Sequence, residues 1–355
     1  MRTLLRNEWT IVLLAVLVSV LTWVLLITRA NAVLTFFISG LALAVLAALV
    51  GQATEHLGSH FGPGATGVLQ SAIGNLPELF VGIFALRAGL VTVVQSALIG
   101  SILANSLLVL GLAFLVGGLR HGTQRFNSET PRAIVILTVL AVAALLVPTL
   151  AQNLHTPAEA HEDALSLACA AVLLIVFLLS IPHSLQGGTA VQANPEEALH
   201  SQPWPLWRTL AILFLAGIGA AFVSDWFVQT LEPAIETLHL SQAFTGLVVV
   251  AIAGNAIEHM VGIQLAFRNK ADYAVSVVLN SSLQVALALT PILVILSFFL
   301  SPIPLTLVLP PLLVAALALA AILGALIVYD GESNWLEGAA LIGLYGMIAT
   351  AFWWG

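Results

Sequence analysis

An all-α polytopic membrane protein with about eleven transmembrane helices is the fold class that three observations predict. Of the 355 residues, 60% are hydrophobic and only 8% are charged, whereas soluble domains carry about 25% charged residues. The mean hydropathy is +1.07, and the apolar runs reach helix-spanning length instead of alternating with a period of two. The third observation is an internal repeat. GNLPELFVGI at Gly74–Ile83 returns as GNAIEHMVGI at Gly254–Ile263, at a constant offset of 180 residues and identical at six of ten positions.

Taken in order, the candidate spans are 9–28, 33–57, 64–86, 90–117, 132–151, 164–183, 206–230, 242–267, 272–300, 305–329 and 335–354. The first follows Arg2 and Arg6 and precedes Ala30-Asn31-Ala32, which has the form of a signal-peptide cleavage site. The run contains Trp23 and ends in Arg29, unlike the short apolar core of a cleaved signal. Residues 1–32 are therefore expected to be a retained helix. With the N-terminus inside, eight of ten Lys+Arg (Arg2, Arg6, Arg120, Arg125, Arg132, Arg208, Arg268 and Lys270) fall in cytoplasmic segments. Only Arg29 and Arg87 fall outside, which is the bias that orients membrane proteins. Trp204, Trp207, Trp335, Trp353 and Trp354 lie near span ends, where amphipathic rings prefer the interface.

The two motif helices are the third and eighth spans, an odd number of crossings apart, so they enter the membrane from opposite sides. This predicts one N-terminal helix plus two inverted-topology five-helix repeats, 33–185 and 205–355, joined by a polar cytoplasmic linker at 186–204. Inverted repeats with binding groups near the midplane are the architecture of many secondary transporters. The expected setting is a multi-pass, bacterial-type plasma membrane, with the C-terminus outside and the lipid bilayer as the principal partner.

Several function classes are excluded. One cysteine, Cys169, allows neither a disulfide framework nor a thiolate cluster within the chain. The dispersed Lys and Arg form no basic stripe for nucleic acid. Neither HExxH nor a nucleophile with a matched base appears, and Glu258 and His259, being adjacent on one helix, cannot serve as two ligands on one face. The chain is not expected to be an enzyme or to hold a cofactor.

What remains is a pair of carboxylates. Glu78 and Glu258 sit inside apolar runs, where an acid costs on the order of a few kcal/mol and marks function by default. Residues three, four and seven apart share a helix face, so Asn75, Glu78 and Gly82 form one polar stripe, flanked by Ser71 and Gly74. Asn255, Glu258 and Gly262 repeat it. The following span of each half adds Ser101 and Asn105, or Ser281 and Gln284; interhelical hydrogen bonding is the competing role for these residues. Hard divalent cations want six to eight oxygens, which carboxylates, amides and freed backbone carbonyls supply. Pro77 is expected to kink its helix and free the carbonyl of Ile73; Gly74 and Gly254 invite local unwinding. Softer metals are poorly served by this set.

Two carboxylates are neutralised by one divalent cation or by two protons. The bare, doubly ionised site is the expensive state, so the carrier reorients mainly when loaded, and antiport follows from electrostatics. His259 projects about 100° from Glu258 on the helix; a packing role and a proton-relay role both remain open. Glu55, Glu232 and Glu236 are candidates for a cation path against the alternative of solvated helix ends, and Asp225, late in the seventh span, is ambiguous. The other eight histidines fall in or near loops and are expected to be solvated.

These motifs resemble those of the calcium/proton antiporters of the cation/proton exchanger family, within the calcium/cation antiporter superfamily. The resemblance runs through GNLPELFVGIFALRAGL, GSILANSLLVLGLAFLVGG, SQAFTGLVVVAIAGNAIEHMVGIQLAFRNKAD and DGESNWLEGAALIGLYG. It implies eleven helices with an inverted five-plus-five repeat after the first. Calcium is implied between Glu78 and Glu258, with Asn75 and Asn255 nearby, extruded against protons; Ser101, Asn105, Gln284 and His259 match positions lining that site. Pro77, Gln70 and Asn280 depart from the family's usual small residue, Asn and Gly. The departures leave selectivity among calcium, manganese and monovalent cations open. A sodium/calcium-type exchanger and a cation channel are the rival readings. The resemblance leaves room for a homo-oligomer, for which the residues themselves supply no pattern.

Overall fold

The computed structural model of the chain describes residues 8–61, 69, 73–127, 129–186 and 204–354. The helices are α1 (Glu8–Ile27), α2 (Ala32–Ser59), α3 (Leu76–Arg87), α4 (Val91–His121), α5 (Glu129–Asn153), α6 (Glu162–Gln186), α7 (Leu206–Leu238), α8 (242–267), α9 (Ala271–Leu300), α10 (Pro311–Tyr329) and α11 (Trp335–Ala351). A two-residue antiparallel ladder joins β1 (Gln124–Arg125) to β2 (Glu332–Ser333). Among the described residues eight helices are long and apolar enough to cross a membrane, or nine if the bent α8 is one span. Ser71, Gln70 and most of the expected linker lie outside the described residues.

The chain divides into two compact units, each drawing elements from both halves of the sequence. The first comprises Met1–Ala85, Ile181–Leu240 and Ala253–Ile257. Here α2 lies along α7, with Phe36 stacked on Phe227 at 4.8 Å and Gly219 admitting Leu46. The second comprises Leu86–Ser180, Ser241–Ile252 and Glu258–Gly355. Here α4 crosses the start of α8 backbone to backbone: a Cβ on Gly100 would fall on the Leu247 main chain, and one on Gly246 would meet the Val93 carbonyl. Small residues are how membrane helices come this close.

Three π-helical turns interrupt the α geometry: Ala104–Val109 in α4, Thr245–Val250 in α8 and Val285–Leu289 in α9. The first and third fall within a residue of the repeat offset. Such turns are rare and cluster at functional sites; the first and third here follow Ser101 and Gln284, polar residues that the repeat singled out.

One span begins later than expected. The run 305–329 was expected to be helical throughout, yet α10 starts at Pro311 and the chain from Ser301 to Pro310 is non-helical. Pro302, Pro304, Pro310 and Pro311 withhold the N–H groups and dihedrals a helix needs. The segment is extended instead, with Leu305, Leu307 and Leu309 buried in alternation. Buried non-helical backbone must find partners, and side chains supply them. Gln95 Nε2 donates to the carbonyls of Thr306 and Val308, both at 3.0 Å. Thr149 Oγ1 accepts from Leu309 N–H at 3.0 Å and donates to Leu307 O at 3.2 Å. Ser166 and Ser297 accept from the N–H groups of Leu307 and Leu305. Thr149→Val keeps the shape of the side chain but strands an N–H and a carbonyl, at about 1–3 kcal/mol for an unmet buried group. A clear fall in the melting temperature of the detergent-solubilised protein is the expected result; an unchanged midpoint would show that the segment is not held this way.

Three further expectations are corrected. Glu232 and Glu236 lie within α7, which runs through Pro233 to Leu238, and not after it. Trp204 is not an interfacial ring: it is 3% exposed, stacked on His56 at 4.1 Å and covered by the Arg208 guanidinium. His56 is therefore half-buried in a stack and not a free loop side chain, and His60 is tied to the Trp204 carbonyl at 2.8 Å. Flat amphipathic rings stack where they can bury a face and keep a polar edge satisfied. Trp207, Trp335, Trp353 and Trp354 are exposed, as expected of interface anchors.

Candidate functional site

In the first unit the site is built at a helix start. Gly74 and Asn75 form a turn and α3 begins at Leu76. The Asn75 carbonyl accepts the N–H of Leu79 at 2.9 Å, the first bond of the helix. Pro77 therefore stands in the first turn of α3, directly after the break at Gly74–Asn75, where its missing N–H costs nothing. Glu78 lies in that same turn, partly buried, at the helix end whose partial positive charge suits an anion. Ser224 of α7 donates to the Pro77 carbonyl at 3.4 Å. Across from Glu78, Asn255 is buried and its Nδ2 donates to Glu78 Oε1. Gly254 makes the approach possible: a Cβ there would stand 2.8 Å from Glu78 Cγ. The spacing of the second motif copy thus has a geometric reason, since its Gly254 and Asn255 close on Glu78 of the first.

The unwinding anticipated at Gly254 does not occur: Ala251–Phe267 is continuous α-helix, and α8 bends by 69° between Ala256 and Glu258. Gly262 lets α8 approach α4 and α9: its Cβ would meet Val278 and Val109. One turn earlier on α8 is Glu258; the matching positions are Asn105 on α4 and Ser281 on α9. Ser281 Oγ donates to Glu258 Oε2, and Asn105 Nδ2 donates to Ser281 Oγ at 2.9 Å. Asn105 Oδ1 is buried and has no hydrogen-bond partner among the described residues. Beside this chain Ser106 and Ser282 share a hydrogen bond of 3.1 Å.

The remaining expected residues separate cleanly. Ser101 and Gln284 are buried on α4 and α9, each about one turn from the Asn105–Ser281 bond, and Asn75 is buried at the start of α3. His259 is 7% exposed, and its Nε2 has no partner among the described residues. Glu55, Glu232 and Glu236 are exposed. Asp225 is capped by Gln229 Nε2 at 2.8 Å. Among the described residues no three His, Cys, Asp or Glu side chains form a metal-holding group. The donors are carboxylate, amide and hydroxyl oxygens, a hard-cation set. Sequence reasoning missed Ser224 and the Ser106–Ser282 pair. The second was legible in principle, since Ser282 follows Ser281 directly; Ser224 stands in a span with no motif to mark it.

A family model described as sodium/calcium exchanger protein matches residues 31–186 and 208–354, and both matched segments contain a GNxxE stretch. The chain belongs to that family. The unmatched stretch between the two segments overlaps the expected linker. Among characterised proteins, this exchanger is 37% identical over 335 residues to a Ca(2+)/H(+) antiporter of Synechocystis sp., covering 89% of this chain and 90% of that one. It is 36% identical over 335 residues to a Ca(2+)/H(+) antiporter of Aphanothece halophytica, covering 89% of each. The solved structure of native YfkE matches it with a TM-score of 0.81 at 30% identity, over 97% of this chain and 99% of the other. The exchanger thus has the polytopic all-α, inverted-repeat architecture of its family and is a transporter, not a catalytic enzyme.

Proposed function

We propose that the exchanger is a secondary active antiporter that moves calcium against protons by alternating access, with Glu78 and Glu258 taking the cation and protons in turn. The observation that carries this reading is the pairing of each motif acid with neutral polar side chains inside an apolar segment: Asn255 on Glu78, and Ser281 with Asn105 on Glu258. An isolated ionised acid in that setting is costly. A divalent cation neutralises two of them, two protons do the same, and an empty pair discourages reorientation. Asn75, Asn255, Ser101, Asn105, Ser281 and Gln284 are the neutral groups assigned to the neighbourhood of the cation, and His259 remains a relay candidate. The names of the relatives favour calcium and protons over other pairs.

The reading includes eleven spans with the N-terminus in the cytoplasm: helix 1–32, repeats 33–185 and 205–355, and linker 186–204, in a bacterial-type plasma membrane. Contacts between loops support this grouping of the loops into two faces. The segments around 118–131, 268–271 and 330–334 fall on one side in this scheme, and they are joined by the β1–β2 ladder, by Asn127 N–H to Asp272 and by His121 to the Phe267 carbonyl. On the other side, Ser301 donates to the Leu86 carbonyl and Ser241 to that of Phe352.

Vesicles loaded with purified exchanger and given an imposed pH step test this directly. Calcium uptake without sodium is expected, with manganese, sodium and potassium as comparison ions. Sodium-driven exchange is the second reading, carried by the name of the family model; uptake that needs a sodium gradient and ignores pH would decide for it. Downhill calcium flux with no coupling would decide for a channel.

A further inference from the structure

Ser281 holds two groups at once, and the direction of its hydrogen bonds has a consequence for both. A serine hydroxyl has one hydrogen to give and two lone pairs. The hydrogen of Ser281 goes to Glu258 Oε2. Toward Asn105 the hydroxyl can therefore only accept, and it accepts from Nδ2 at 2.9 Å. That fixes the amide: with Nδ2 turned to Ser281, Oδ1 points away from it. This oxygen is buried, on a residue 1% exposed, with no hydrogen-bond partner among the described residues. A buried amide oxygen left without a donor is costly unless something electropositive meets it.

Both candidate oxygens of this half of the site, Asn105 Oδ1 and the Oε1 of Glu258, thus take their orientation from one hydroxyl. Ser281 itself is 3% exposed and already engaged on both sides. From this geometry we infer that Ser281 is a positioning residue and not a cation ligand: it sets the carboxylate of Glu258 and the amide of Asn105 so that an oxygen of each faces the cation. The inference rests on the calcium reading of the site. It assigns Asn105 a direct role that depends on Ser281, and it separates Ser281 from Ser282, whose hydroxyl is shared with Ser106 and does not touch Glu258.

The test is a double-mutant cycle on calcium binding to the purified full-length protein at one fixed pH, with transport KM and maximal rate measured in vesicles. Ser281→Ala is expected to weaken calcium binding about ten- to a hundredfold, the worth of a charge-assisted hydrogen bond. KM should rise more than the maximal rate falls, and Ser281→Thr, which keeps the hydroxyl, should restore most of the affinity. Asn105→Ala should weaken binding in the wild-type background and add little once Ser281 is alanine. Ser282→Ala should stay within about twofold of wild type, because it loses no bond to the carboxylate. If Ser281→Ala fails to fold, Ser281→Cys, similar in size with a weak donor, carries the same expectation. Wild-type calcium affinity in a folded Ser281→Ala or Ser281→Cys protein would overturn the inference. So would fully additive losses in the cycle, which would mean two independent ligands. Wild-type protein that neither binds nor exchanges calcium would instead overturn the functional reading, so the two failures are told apart by the control.

Discussion

Glu258→Gln and Glu78→Gln, made singly, are each expected to reduce proton-driven calcium flux about a hundredfold or more in reconstituted vesicles. Either change swaps an acceptor-only carboxylate for an amide of nearly equal shape, so packing is preserved while one unit of negative charge is lost. For Glu258 the change also disturbs Ser281, whose hydroxyl hydrogen can still reach the amide oxygen but gains no charge assistance. For Glu78 the Asn255 amide keeps an acceptor only if the new side chain presents its oxygen. A charged hydrogen-bonding partner is worth about 1.5–3 kcal/mol before the cation's own attraction is counted, and the charge balance that lets the loaded carrier turn over is lost entirely. Melting temperatures should stay near wild type or rise, since removing a costly intramembrane charge relieves the apo protein. Normal pH-driven flux in either variant would remove that carboxylate from the mechanism.

Gly100→Leu is expected to prevent the second unit from assembling. The Gly100 position lies on the Leu247 main chain, so even alanine needs one helix to withdraw. Overpacking of this kind costs about 1–3 kcal/mol for small increments, and leucine adds three further carbons with no side-chain neighbour to move aside. The expected results are a sharp loss of folded protein on extraction for Gly100→Leu and an intermediate, lower melting temperature for Gly100→Ala. Gly51→Ala, at a helical glycine with open space around it, should be close to neutral. A stable, monodisperse Gly100→Leu protein would mean that α4 and the start of α8 do not pack backbone to backbone.

The residues of the candidate site were readable because two copies of one motif announce each other. Glu78, Glu258, Asn75 and Asn255 stand at fixed offsets, and burying an acid in an apolar run has no cheap structural explanation. Ser281 and Asn105 were readable as polar residues on the following spans, but not their order in a hydrogen-bonded chain. Periodicity reports which face a residue occupies and is silent on which hydroxyl donates. The start of α10 was misplaced for a related reason: Leu305–Leu309 is as apolar as a helix would be, and hydropathy does not register that prolines have removed the helical option. Glu55, Glu232 and Glu236 were readable only as acids beside spans, and all three are exposed.

From composition, repeat and charge placement alone came the membrane class, the two related halves and the pair of acids, because each depends only on what lipid tolerates and on the count of crossings. The tertiary structure decided what touches those acids: that Asn255 reaches Glu78, that Asn105 reaches Glu258 through Ser281, and that glycines let the helices come near. Such contacts join residues more than 170 positions apart in the Asn255–Glu78 and Asn105–Ser281 pairs, a distance over which local pattern carries no information and only packing can choose.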